Sequence, residues 1–146
     1  AGIAISDPFC VERHRDDFLG LIKDELDYFI GNRAELLSLF QTDDLDTALG
    51  KAAQVCPLVV CTQSGDGVTI LQGATRVHVG VQKVVPVDAT GAGDLFAAGF
   101  LYGLAMGADL EICGKMGNVC AAEIISHMGA RPEADLQVLF KQNGLI

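Results

Sequence analysis

Positive charge is scarce in this chain of 146 residues. Ten Lys and Arg stand against 19 Asp and Glu, giving a net charge of −9, and the basic residues are scattered rather than grouped. Nucleic acids and anionic membrane surfaces both require basic clusters, so neither is expected as a partner. No CxxC pair occurs among the five Cys, and the spacings Cys56/Cys61 and Cys113/Cys120 fit neither a zinc knuckle nor a finger. They read as buried, reduced thiols of a cytoplasmic protein. The longest uncharged stretch, Leu95 to Ala108, falls short of the roughly 18 apolar residues of a membrane span and reads as a buried helix. There is no signal peptide, internal repeat or low-complexity linker. Nor is there a GxxxxGK[ST], a GxSxG or an HExxH, so a P-loop, a hydrolase elbow and a zincin lack support.

What is present is apolar. Half of the residues are hydrophobic and a fifth charged, which excludes a disordered tail. The length suits a single domain, 1–146, able to bury about two-thirds of its unfolded surface. The chain opens on a strand-like run, Gly2 to Ser6, rather than on Met, and we expect it to be part of something longer.

Ile3 to Ser6 reads as a strand ending at Asp7-Pro8. Apolar spacing predicts one amphipathic helix from Val11 to Leu26. A short strand at Tyr28 to Ile30 precedes helices from Asn32 to Phe40 and from Thr42 or Asp43 to about Val55. Leu58 to Thr62 is a buried strand. Gly65-Asp66-Gly67 is a turn, and Val68 to Gln72 with Thr75 to Val79 forms a hairpin. After an extended piece at Val84 to Val87, helices are expected at Gly91 to Met106, at Asp109 to Met128 with Gly129 as C-cap, and at Glu133 to Gln142 behind Pro132. Gly99, Gly103 and Gly107 form a close-packing stripe. This order predicts an α/β fold with a mostly parallel sheet and an antiparallel hairpin at one edge. Ligands of such sheets bind beyond the carboxyl ends of the strands.

The segment richest in chemistry is Asp88-Ala89-Thr90-Gly91-Ala92-Gly93-Asp94, just before an apolar helix. Unpartnered amides at a helix start favour an anion. A carboxylate among them is unusual. Phosphoryl transfer is one arrangement that uses both: first-turn amides stabilise the transferring group, and the Asp94 carboxylate takes the proton of the attacking hydroxyl. A structural reading is equally open, with Thr90 as N-cap and Asp94 favoured by the helix dipole. Asn32 and Glu35 have capping-box spacing. Thr62 to Gly67 reads as a strand-to-turn transition. Asn118 reads as a hydrogen-bonded side chain in a helix interface.

Asp88 to Phe96, continuing through Ala97-Ala98-Gly99-Phe100, closely resembles the second signature of the ribokinase-like (PfkB) carbohydrate and nucleoside kinases. Ser6-Asp7-Pro8-Phe9 and Asn32-Arg33-Ala34-Glu35 resemble further elements, and the general character is similar to adenosine-kinase-like members. The resemblance covers essentially the whole chain as the C-terminal part of a three-layer ribokinase-like sandwich. It implies ATP and Mg²⁺ as cofactors, with Asp94 as catalytic base beside the anion hole of Gly91, Ala92 and Gly93. Glu35 would organise Mg²⁺ through water, with Asn32 beside it. Thr62, Ser64, Gly65 and Gly67 would line the phosphates and ribose, although Ser64 stands where the family has glycine. Asn118 would border the adenine pocket. Asp88 and Thr90 resemble the family's loop for a monovalent cation such as K⁺.

The activity implied is ATP-dependent phosphoryl transfer to the hydroxymethyl group of a sugar or nucleoside. The acceptor-binding half of such kinases has no counterpart here, so the chain alone is expected to be inactive. Its partners would be that missing half, a small-molecule substrate and a second copy, since removing half a fold exposes a strand edge and apolar surface. The alternative is a non-catalytic nucleotide-binding or α/β interaction module.

Overall fold

The computed structural model describes residues 1–5 and 7–146; the expectation for Ser6 lies outside them. The elements are β1 (Gly2–Ala4), α1 (Pro8–Arg13), α2 (Arg15–Asp24), β2 (Tyr28–Asn32), α3 (Arg33–Phe40), α4 (Leu45–Val55), β3 (Leu58–Thr62), β4 (Val68–Gln72), β5 (Thr75–Val79), α5 (Ala92–Ala105), α6 (Leu110–Ile125) and α7 (Leu136–Gln142). A 3₁₀ turn, Ser64–Asp66, links β3 to β4. The strands form one sheet in the order β1-β2-β3-β4-β5. β1, β2 and β3 run parallel, as the sequence predicts; β4 is antiparallel to β3, and β5 lies beside β4 at the edge of the sheet. Among the described residues no helix is long and apolar enough to cross a membrane.

Contacts divide the chain into two compact units: Ala1–Ser64 with Val68–His78, and Gly65–Gly67 with Val79–Ile146. In the first, alternation along the strands sends Phe29, Val59 and Cys61 to one face, where they pack with Val11, Ile22, Leu36, Leu39 and Leu49 of the helices. In the second, Met116, Cys120 and Phe140 form a core with Leu95, Tyr102 and Leu136 around it.

α5 and α6 lie close because glycines face them. A Cβ on Gly99 would stand 2.6 Å from the Met116 carbonyl oxygen, and one on Gly117 would enter the Phe96 ring. Gly103 has Met116 Sδ and Cys113 about it at similar range. The predicted stripe therefore holds for Gly99 and Gly103. Gly107 leaves it, having left-handed φ (75°) and open space around it, and forms the turn that ends α5.

Several boundaries differ from expectation. The predicted helix Val11 to Leu26 is two helices, broken at His14 (φ −124°, ψ 28°). Asp7, expected to end a strand, instead caps α1 by accepting from the amides of Phe9 and Cys10, and Pro8 takes the first helical position, where it forfeits no bond. The break carries Arg15 Nε to the Leu39 carbonyl, 2.8 Å away. α4 is capped by Asp44, not by Thr42 or Asp43. α6 ends at Ser126, whose hydroxyl donates to the Glu123 carbonyl, so Gly129 is not its C-cap. α7 begins behind Asp135 rather than Pro132, because the Asp135 carboxylate accepts from the Gln137 and Val138 amides. Val84 to Val87 joins no strand.

All five Cys are free, four of them buried. Burial pushes the Cys61 thiol up to about 12 and the Cys120 thiol to about 11. Such thiols hold no appreciable thiolate at neutral pH and are chemically inert.

Candidate functional site

In the first unit, parallel pairing of β2 with β3 sets Asn32 opposite Thr62 at the carboxyl ends of both strands. Asn32 ends its strand because its side chain caps α3. Its Oδ1 accepts from the Glu35 amide (2.9 Å), and the Glu35 carboxylate accepts from the Asn32 amide (2.7 Å) and from Asn32 Nδ2 (3.0 Å). Glu35 is only 3% exposed. Burial raises its carboxyl above the ordinary value, against the Asn32 bond and with help from the charge of Asp7.

Asn32, Arg33, Ala34, Leu37, Thr62, Gln63 and Ser64 line one open groove at this edge. It brings together three of the predicted nucleotide residues, Asn32, Thr62 and Ser64. Glu35 stands behind Asn32 rather than on the groove wall. Ser64 has φ 51°, so the position where a glycine was expected does take a glycine-like conformation. Arg33, part of the Asn32 to Glu35 element, has no role assigned from the sequence. The available signal is electrostatic: a cation at the first position of a helix opposes the dipole, an arrangement that an anionic ligand reverses.

In the second unit, Gly67 (φ 92°) lies against the hairpin, where a Cβ would fall 2.1 Å from the Val79 carbonyl oxygen. Backbone packing alone thus requires this glycine. Gly65 has open space around it. Asn118 Nδ2 donates to the Gly80 carbonyl at 3.0 Å and pins the chain leaving β5, as a structural asparagine would.

Among the described residues, α5 is the one helix that starts from a left-handed residue, and with α2 it is one of two without a capping side chain. Gly91 occupies the N-cap position with φ 82°, and no side chain caps the helix. Thr90 does not cap it: its hydroxyl and amide both donate to Asp88 Oδ1, at 2.7 and 2.9 Å. Asp88 Oδ2 accepts from the Gly129 amide at 3.1 Å. These donors, Thr90 first, hold the Asp88 carboxyl below its ordinary value. Of the three amides expected to form the anion hole, that of Ala92 is already donated to the Ala89 carbonyl at 3.2 Å. Asp94 is the third helical residue and is exposed. A carboxylate there, beside uncapped amides, can accept a proton next to a site that holds negative charge.

The donors of the groove (amide, hydroxyl and guanidinium groups) fit the oxygens of a polyphosphate. A metal held directly by protein fits less well. Among the described residues no three His, Cys, Asp or Glu converge on one point, and Asn32 engages both oxygens of Glu35. Mg²⁺ would have to arrive on the phosphates and keep much of its water shell.

A family model described as pfkB family carbohydrate kinase matches residues 4–136. A sugar kinase of Archaeoglobus fulgidus, itself described as uncharacterized, is 41% identical over 104 residues, covering 70% of this chain and 41% of that protein. Among solved structures, a probable sugar kinase protein from Rhizobium etli superposes with a TM-score of 0.97 at 45% identity, over 99% of this chain and 44% of that one. The adenosine kinase from Sinorhizobium meliloti gives a TM-score of 0.95 at 42% identity, over 97% and 44%. The chain spans less than half the length of these relatives.

Proposed function

Since the chain belongs to the pfkB family of carbohydrate kinases, with the ribokinase-like α/β fold over the part it covers, we propose that it is the nucleotide-binding and catalytic-base portion of a longer kinase. That kinase transfers a phosphoryl group from ATP to the hydroxymethyl group of a sugar or nucleoside. The observation that carries this reading is the start of α5. Among the described residues, five of the seven helices are capped by an Asp or Asn side chain. α2 also lacks a capping side chain and carries Asp16 and Asp17 in its first turn, but α5 alone among the described helices begins on a left-handed glycine, followed by an exposed carboxylate in its first turn. First-turn amides without a side-chain partner stay open to water or to an anionic ligand.

In this proposal Asp94 is the base, and the amides of Gly93 and Gly91 face the transferring phosphoryl. Asn32, Arg33, Thr62 and Ser64 receive the nucleotide phosphates. Glu35 fixes Asn32 and, where a water stands between, would help to hold the water shell of a bound Mg²⁺. The bound metal would neutralise phosphate charge. The similarity to a sugar kinase and to an adenosine kinase is nearly equal, so the acceptor class stays at sugar or nucleoside. Coverage of less than half of each relative favours nucleotide binding without turnover by the chain alone.

The test is an ¹⁵N NMR titration of the chain with ATP, with and without Mg²⁺. Mg-ATP is expected to shift the amides of Gly91, Gly93 and Asp94 and those of Thr62 to Gly65. ATP with a chelator should bind more weakly, because an acidic protein repels an uncompensated polyphosphate. Shifts confined to other residues, or none, overturn the reading.

A further inference from the structure

The segment joining α6 to α7 holds polar groups that the proposed reaction does not use. Glu123 lies on the last turn of α6 with its side chain 7% exposed. Its Oε1 accepts from the Glu133 amide at 2.8 Å and the Ala134 amide at 2.9 Å, and faces His127 Nε2 at 3.2 Å. Its Oε2 is buried and, among the described residues, without a partner. A carboxylate so placed is costly unless a positive charge stands beside it.

His127 supplies that charge when its ring is protonated. Its Nδ1 lies 3.3 Å from the Met128 carbonyl oxygen and 3.8 Å from the Glu133 carboxylate. A ring with acceptors at both nitrogens is satisfied only when both carry protons, since neutral imidazole donates once. The titratable groups acting on it are Glu123 of α6, Glu133 of the following segment and Asp88 of the loop before α5. The Met128 carbonyl first, then Glu123 and Glu133, hold the ring above its ordinary value against the opposing effect of desolvation.

The segment pinned in this way reaches the start of α5. The Gly129 amide donates to Asp88, whose other oxygen holds Thr90. Ala130 packs on Gly91 so closely that a Cβ there would stand 3.2 Å from the alanine methyl. The Val87 amide donates to the Ile125 carbonyl at 2.7 Å.

We propose that Glu123 and His127 are positioning residues: their contact folds the segment from Ser126 to Ala134 against Asp88 and Gly91 and so sets the turn that presents the first amides of α5 and the Asp94 carboxylate. Neither residue touches reacting atoms. The proposal rests on the reading of that turn as the phosphoryl site. The connection is a continuous set of contacts, and a demonstrated coupling is what tests it.

The experiment is an ¹⁵N NMR pH titration of the chain without nucleotide, from about pH 5 to about pH 9, spanning the imidazole range. The amides of Gly129, Thr90 and Gly93 are expected to shift with one common midpoint, that of the His127 ring, above the usual imidazole value. His127→Asn should abolish this shared inflection. Glu123→Gln should lower the ring's midpoint and speed exchange of the Gly129 amide by about tenfold, as expected for one lost charged contact. Glu123→Asp should restore part of both effects. If Gly129 and Gly93 do not follow the ring in the wild type, the proposal is overturned, whether or not the variants fold. Coupling without any Mg-ATP effect on Gly93 upholds the positioning role and removes the kinase reading. An Mg-ATP effect without coupling does the reverse.

Discussion

α3 and α5 both carry an acidic residue at their third helical position, Glu35 in one and Asp94 in the other. Their fates are opposite. Asn32 at the start of α3 supplies an amide to cap the helix and a backbone N–H for the carboxylate to return to, so Glu35 is buried and bonded within the helix start. Gly91 at the start of α5 supplies no side chain, and the shorter Asp94 side chain stays in solvent. Position in the helix therefore does not decide what an acid does. The residue at the N-cap decides, by consuming the free amides or leaving them. The closed start serves stability, and the open one beside a carboxylate is the one we propose for chemistry.

The largest effect that would separate the two acids is catalytic. In the longer kinase of which we propose this chain is part, Asp94→Asn should lower kcat by roughly 10²–10⁴, the usual contribution of a positioned base. Nucleotide affinity and melting temperature should move little, because Asp94 neither caps the helix nor packs in a core. Turnover and thermal unfolding of the two proteins measure this. Near-normal kcat with a lowered melting point would erase the contrast and make Asp94 a dipole residue, worth about 0.3–1 kcal/mol.

The contrast also shows what a sequence exposes. The capping box was legible because Asn-x-x-Glu specifies local bonds that any such helix start can make. The sheet was legible from β-branched runs and the Gly73 turn, and pairing adds only that Asn32 and Thr62 meet across neighbouring strands. The start of α5 was ambiguous, since Thr90 before a Gly-rich helix is compatible with capping. What turned Thr90 away is Asp88, which accepts both of its donors, and Asp88 is itself braced by Gly129, 41 residues on. Glu123 and His127 were invisible for a similar reason: their partners, Glu133 and Ala134, lie beyond the helix end. The break at His14 escaped because apolar spacing continues across it, while the Arg15 bond to Leu39 is tertiary.

At the closed start, Asn32→Ala removes the Oδ1 cap and the Nδ2 donor to Glu35, leaving that carboxylate only the backbone amide of residue 32. Loss of an Asn cap costs about 0.5–2 kcal/mol. The upper end is expected here, because a buried carboxylate is left short of partners. Urea unfolding should show a lower midpoint with unchanged slope. An effect below about 0.5 kcal/mol would mean that this start is open to solvent like that of α5.

The smallest effect concerns Ser64, which stands on the groove between these two kinds of behaviour. Its φ of 51° is left-handed, a conformation that costs a residue with a side chain roughly 1–2 kcal/mol. Glycine removes that strain but gives the unfolded chain more freedom, worth about 0.5–1 kcal/mol in the opposite sense. Ser64→Gly should therefore stabilise the protein by only about 0.5 kcal/mol, the difference of those terms. If the strain is maintained so that the hydroxyl can meet the phosphates, Mg-ATP should bind several-fold more weakly to the variant as its melting temperature rises. Stability and affinity then move in opposite directions, which no purely structural serine would produce. A variant that is more stable and binds Mg-ATP as well as the wild type would leave the groove's backbone, with Asn32, Arg33 and Thr62, to hold the nucleotide.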